Sequence, residues 1–277
     1  MAVFFTLSGE KGQKMKKNLT RKLTESAIMI ALATILSLIP IVNMPYGGSI
    51  TAVSMLPIVV IAFRHGTGWG TLTALAYSLI QMLFGLNNLA YATSPLAAVA
   101  IIMLDYILAF TVMGLSGIFS KVIGDRAISI SLGTFFTCAL RYLCHVISGC
   151  TVWAGVSIPT QAGLYYSLSY NSAYMIPETI LTVVGAYALS TAFDLKSYPI
   201  KRANYNDRLG LLGIFSIAVG VMINALTVFF SIQNADGYDI TNIKNANWTL
   251  VLIVTAVTVL LTVISILLQK RKNLVNK

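Results

Sequence analysis

Asp105, Arg141, His145 and Glu178 are ionisable side chains set inside long apolar runs, and aromatic rings crowd around them in the sequence. In hydrocarbon such a group costs at least about 2.5 kcal/mol on insertion scales, so it normally faces a partner or a wet cavity. Arg141, His145, Gly149 and Trp153 recur at four-residue intervals and so lie along one slowly drifting helix stripe. Tyr106, Trp153, Tyr165, Tyr166, Tyr170 and Tyr174, with His145, offer flat apolar faces with polar edges. Those faces suit stacking on a planar heterocycle and fixing it by hydrogen bonds. With both carboxylates ionised, Asp105 and Glu178 outweigh Arg141 by one negative charge. A cationic aromatic ligand is favoured, held in part by cation–π contact.

Each member also admits a structural reading. Asp105 and Arg141 are a candidate buried ion pair, His145 a candidate interhelical hydrogen-bonding residue, and Glu178 equally a structural partner or a deep member of a site. Trp153 and the tyrosines near 165 fit an interfacial aromatic belt. Convergence at one depth favours a site, and depth is set by the helices that carry these residues.

Those helices belong in a membrane. The chain has 277 residues, of which 57% are hydrophobic and 10% charged, against roughly 25% charged in a soluble domain. The spacing of apolar runs against polar punctuation predicts an all-α integral membrane protein with eight spans, near 24–41, 47–63, 68–86, 95–119, 128–150, 164–193, 209–231 and 249–268. The second is the weakest, because Pro57 interrupts a short run. Cys138, Cys144 and Cys150 show no metal or disulfide spacing and read as small packing residues. No metal site and no cofactor is expected.

A net charge of +10 here is a topology signal and not a nucleic-acid footprint, since the basic residues lie in short patches between apolar runs. Six of them precede the first span, Arg64 follows the second, and Lys121 and Arg126 follow the fourth. Lys196, Lys201, Arg202 and Arg208 follow the sixth, and Lys270, Arg271 and Lys272 end the chain, whereas the intervening loops hold only Lys244. The positive-inside rule then places both termini in the cytoplasm of a multi-pass plasma-membrane protein. The expected organisation is a basic cytoplasmic tail at 1–22, a six-span substrate-binding core at 23–196, a basic linker at 197–208, and a two-span hairpin with a basic tail at 209–277. Within that hairpin Asn224 is the one strongly polar mid-span residue, and the sequon beginning at Asn247 is read as chance.

At a rise of 1.5 Å per residue, Asp105 falls roughly 15 Å below the outer face and Arg141 about 14 Å, so the two are level. Asn171 falls about 10 Å down, with Glu178 two turns deeper on the same side. Tyr166 lies about 140° round the helix from Asn171 and reaches the same site only if the helix starts late or bends. All of these groups except Glu178 sit in the outer half, as in a protein that receives something from outside.

LTESAIMIALA in the first span, DYILAFTVMGLSGIF in the fourth, RYLCHVISGCTVW in the fifth and YYSLSYN at the entry to the sixth together resemble the thiamine-specific substrate-binding (S) component of energy-coupling factor (ECF) transporters, the ThiT/YuaJ family. The resemblance covers residues 23 to about 193. It implies a six-helix membrane bundle with the vitamin site near the outer face. By resemblance, Asp105 and Tyr106 contact the cation and its hydroxyl side, His145 and Trp153 stack on rings, and Tyr166 with Asn171 bond the aminopyrimidine. Arg141, Glu178 and Tyr170 are further candidates for ligand contact. Three positions depart from the family pattern: Asp105 stands for a Glu, Arg141 for a Lys, and Gly48 for a Trp that helps cover the ligand. Glu178 has no counterpart in that pattern.

Ala27 and Ala31 in the first span form a small-xxx-small pair that lets another helix approach closely. The resemblance implies that this pair docks on the ECF transmembrane coupling subunit, which acts with two ATP-hydrolysing subunits. The chain itself has no GxxxxGK[ST] phosphate loop, so the energy comes from partners. The expected function is therefore that of a thiamine receptor for uptake, and not an enzyme. The competing readings are an S component or solitary secondary carrier for another heterocycle such as a thiamine precursor, an intramembrane enzyme using Asp105, His145 and Glu178, and a purely structural subunit. No HExxH or GxSxG signature supports the enzyme.

Overall fold

A computed structural model describes residues 2–44, 48–153, 160–203, 209–234 and 237–275; side chains are described from Asn18 onward, apart from positions 153, 234, 237, 238, 240 and 275. The helices are α1 (Ala2–Ser37), α2 (Leu56–His65), α3 (Thr67–Phe84), α4 (Pro95–Lys121), α5 (Arg126–Val152), α6 (Gln161–Ala192), α7 (Gly210–Ile232) and α8 (Trp248–Val275). The last five are long and apolar enough to cross a membrane. Their starts are written in the sequence. Ser94, Asp125 and Thr160 are N-caps whose side chains accept from the N–H groups of Ala97, Ile128 and Gly163, each satisfying one orphan donor of the first turn. Asn247 does the same for α8 by accepting from Leu250 N–H at 2.9 Å, which gives the sequon residue a structural task.

The second expected span is replaced by a different element. Residues Pro40–Asn43 (β1) and Ser49–Thr51 (β2) pair as an antiparallel hairpin, with Val42 opposite Ile50. Only then does α2 begin, and Pro57 sits in its first turn, where a missing N–H costs nothing. At ten residues α2 is about 15 Å long, half the hydrocarbon thickness. Pro57 through Phe63 are all buried, as expected of a helix that is apolar all round and enclosed by its neighbours. It packs against α1, α3 and α4, with Ile58, Val59, Phe63, Tyr77, Phe110 and Met113 in one core cluster.

The stretch read as an N-terminal tail is helical and continuous with the first span, since α1 runs from Ala2. Arg64, read as a topology signal, is also a structural residue. Its Nε donates to Glu25 Oε2 at 2.6 Å and its Nη2 to Glu25 Oε1 at 3.1 Å. His65 Nε2 meets the same carboxylate at 2.8 Å, and Arg64 Nη1 donates to the carbonyls of Leu195 and Ser197. This cluster ties α1, α2 and the chain beyond α6 together at one end of the bundle, where Arg126 also pairs with Asp194. Burial of the Lys196 ammonium beside Phe63 lowers its pKa.

α7 and α8 form the appended hairpin, and α7 lies against α6. Asn224 Nδ2 donates to Thr255 Oγ at 3.0 Å, and Gly213 N–H donates to Ser265 Oγ at 3.0 Å. Opposite Thr258, a Cβ on Gly220 would fall 2.2 Å from the hydroxyl, so the small residue is what lets the two helices close.

Candidate ligand-binding site

A cavity of about 610 Å³ opens at the end of the bundle opposite the Glu25–Arg64 cluster. Its rim includes Ser37 at the end of α1, Gly85 and Asn88 after α3, and Gly163 at the start of α6; Arg141 and Glu178 lie at its inner end. Of the residues expected from the sequence to contact ligand, Asp105, Tyr106, Arg141, His145, Tyr166, Tyr170, Asn171 and Glu178 all line it. The side chain of Trp153 lies outside the described residues.

Asp105 and Tyr106 sit in a π-helical stretch of α4, Ile102–Leu108, and α5 ends in another, Gly149–Trp153. Such i→i+5 turns often occur at functional sites. They take up more chain per turn and change the direction in which side chains leave the helix, so a straight 1.5 Å count does not fix who meets whom. The partner is not the one expected from depth. Asp105 does not pair with Arg141: His145 Nδ1–H donates to Asp105 Oδ1 at 3.0 Å, and Ser148 Oγ–H donates to Oδ2 at 2.7 Å. Arg141 lies one turn deeper, its guanidinium 4.5 Å from the centre of the Phe110 ring. Arg141 Nε and Nη1 and His145 Nε2 are buried without a protein hydrogen-bond partner. Unmatched polar atoms on a cavity wall mark where a polar ligand or water is accommodated.

The aromatic wall is a ladder on α6. Tyr166 stacks on Tyr170 with centroids 6.1 Å apart and 12° between planes; Tyr170 meets Tyr174 edge-on at 5.9 Å, and Tyr174 meets His145 edge-on at 6.1 Å. The spacing of four residues puts these tyrosines on one face. Tyr166 is 63% exposed and stands at the mouth, so α6 reaches the site without starting late. Gly48 explains how the departure from the family pattern is accommodated: a Cβ there would lie 2.8 Å from the Tyr174 ring and 3.2 Å from Tyr170 Oη. The tyrosines occupy the space that a side chain at 48 would need, and Gly48 N–H is 3.4 Å from the Tyr170 hydroxyl.

Two expected contact residues spend their polar groups on the protein. Asn171 Nδ2 donates to Ser167 O at 2.9 Å, Ser167 Oγ at 3.1 Å and His145 O at 3.3 Å, while its Oδ1 accepts from Tyr174 Oη at 2.7 Å. Its amide thus fixes α6 against α5 and orients Tyr174. Glu178, 2% exposed, accepts from Thr51 N–H at 2.7 Å and Thr51 Oγ at 2.7 Å, with Ser54 Oγ at 3.4 Å. It fastens the β2–α2 turn to α6. Gly149 lets α6 approach α5 closely: Ser167 Oγ would be 2.3 Å from a Cβ at that position. Ala27 and Ala31, by contrast, are exposed on the outer face of α1.

Sequence reasoning missed Ser148, Asn88, Thr51 and Ser54. Ser148 follows His145 by three residues and shared its face all along. Asn88, which donates to Tyr106 Oη at 2.8 Å, stands in a polar loop with nothing to single it out. Thr51 and Ser54 were hidden because the hairpin was read as a helix.

A helical membrane bundle with a polar and aromatic cavity open at one end defines a membrane-embedded binding protein for a small solute. The family is specific: the model for thiamine transporter proteins (Thia_YuaJ) matches residues 23–196, and the chain belongs to that family. It is 38% identical over 175 residues to the thiamine transporter ThiT of Bacillus subtilis, covering 59% of this chain and 86% of that protein. It is 27% identical over 206 residues to the thiamine transporter ThiT of Lacticaseibacillus paracasei, covering 65% and 94%. Its fold is similar to the solved structure of ThiT from Listeria monocytogenes, with a TM-score of 0.51 and 26% identity over 66% of this chain and 97% of the other.

Proposed function

We propose that this protein is the thiamine-binding membrane subunit of an ECF-type uptake transporter. The observation that carries the reading is the pairing, within one cavity, of the Asp105 carboxylate with the Tyr166–Tyr170–Tyr174–His145 ring ladder. Thiamine is a fixed cation joined to a flat aminopyrimidine, so it needs one anion and one aromatic wall. Asp105 has two oxygens engaged by neighbouring donors, and a carboxylate has about four lone-pair sites, so it can still face a cation. His145 Nε2 and the Arg141 donors meet the ligand's own donors and acceptors. Asn171 and Glu178 act by holding Tyr174 and the β2–α2 turn.

The basic loops put the cavity mouth on the outside by the positive-inside rule. The exposed Ala27–Ala31 face then docks on the transmembrane coupling subunit, with two ATP-hydrolysing subunits supplying energy. Titrating the purified protein with thiamine while following tryptophan fluorescence tests the ligand. Saturable quenching in the parent, weakened by Asp105→Asn, is expected; no quenching removes the thiamine reading. Uptake that continues unchanged after loss of the ATP-hydrolysing subunits would refute the partnership.

A further inference from the structure

α7 lies beyond the family match, which ends at residue 196, yet it reaches the wall of the cavity. Met222 and Leu226 on α7 pack against the cluster of Ile50, Tyr174, Met175 and Leu181, which Val53 also joins. Above Gly185 the Val53 Cγ1 and Met222 Cε methyls converge: a Cβ there would sit 3.3 Å from one and 3.7 Å from the other. Gly48, Ser49, Thr51 and Ser54, which flank or belong to the same hairpin and turn, line the cavity.

The turn they form is strained. Val53 has φ +61°, a conformation that a β-branched residue takes only when its surroundings impose it. Two features bear on it. Glu178 on α6 binds the backbone and hydroxyl of Thr51 and approaches Ser54, while Met222 of α7 packs on the same cluster as Val53 and stands with it over Gly185.

We infer that the appended hairpin is a brace for the site's β1–β2 cover: Met222 and Leu226 hold the Thr51–Ser54 turn in its strained form and thereby slow ligand escape. This rests on the cavity being the ligand site. It gives α7 a positioning role in binding, where a lipid-facing appendage would have none.

The test uses the full chain in lipid nanodiscs, comparing the parent with Met222→Ala, Leu226→Ala and the double variant. Amide hydrogen exchange at residues 48–54 reads the cover without any ligand. The brace predicts exchange there faster by about tenfold in the double variant, with α5 unchanged; tenfold corresponds to about 1.4 kcal/mol. It also predicts faster thiamine dissociation with association little altered, and recovery in Met222→Leu. Val219→Ala, on the exposed side of α7, should match the parent. Exchange at 48–54 equal to the parent overturns the brace, and so does acceleration spread equally over α5, which would mean general loosening. If the parent fails to bind thiamine but exchange at 48–54 responds, the brace stands and the ligand assignment falls.

Discussion

Asp105 has both oxygens drawn toward α5 by His145 and Ser148; an amide in its place keeps one acceptor, and the Ser148 hydroxyl can turn to accept from its NH2. Asp105→Asn keeps the shape and loses the anion. Thiamine affinity should fall by about 10- to 100-fold, in line with the 1.5–3 kcal/mol of a charged hydrogen bond, read by calorimetry. Gly149 makes a second residue-scale prediction. Gly149→Ala drives a Cβ into Ser167 and should destabilise the protein by about 1–3 kcal/mol, as overpacking does. Ser167→Ala in the same chain removes the clashing hydroxyl and should recover part of that in a thermal melt, the rest being the bonds that the hydroxyl makes to Val146 O and Asn171. That Asp105, His145 and the tyrosines meet at one cavity was legible because charge, ring and spacing are written in the chain. That the amide of Asn171 is spent on Ser167, His145 and Tyr174 was not, since any polar side chain in a span looks equally free until its neighbours are placed.

At the scale of elements, most helices follow from apolar runs bounded by Ser94, Asp125 and Thr160, residues that cap. The exception is the region 40–65. Hydropathy cannot separate a short buried helix from a strand followed by a turn, so β2 and most of α2 together read as one interrupted span, 47–63, while β1 falls at the end of the first span and in the loop after it. The α1–α2 clamp is testable there. Arg64→Ala leaves Glu25 without its bidentate partner and frees the Leu195 and Ser197 carbonyls. The Glu25 side chain is 22% exposed and keeps His65 and Arg21 beside it, so the loss should be about 1–3 kcal/mol. Melting in detergent should show that loss, while thiamine affinity measured below the transition changes little, because the clamp sits at the far end from the cavity.

For the whole molecule, binding and delivery should separate. Ala31 is exposed on α1, away from the cavity lining, so Ala31→Trp should leave thiamine affinity near the parent's and abolish uptake in cells. Weakened binding in that variant would argue against an external docking face. The sequence by itself determined the class of protein, the helical spans after residue 66, the family, and many of the charged and aromatic residues that line the cavity. Those properties follow from hydrophobic length and residue type, which are local. Tertiary structure alone decided that Asp105 is partnered by His145 and Ser148, that tyrosines fill the space beside Gly48, that Glu178 is a fastener, and that α7 reaches the cavity's cover. These depend on the widened turns of α4 and α5 and on which helices touch, and neither is a property of any one segment.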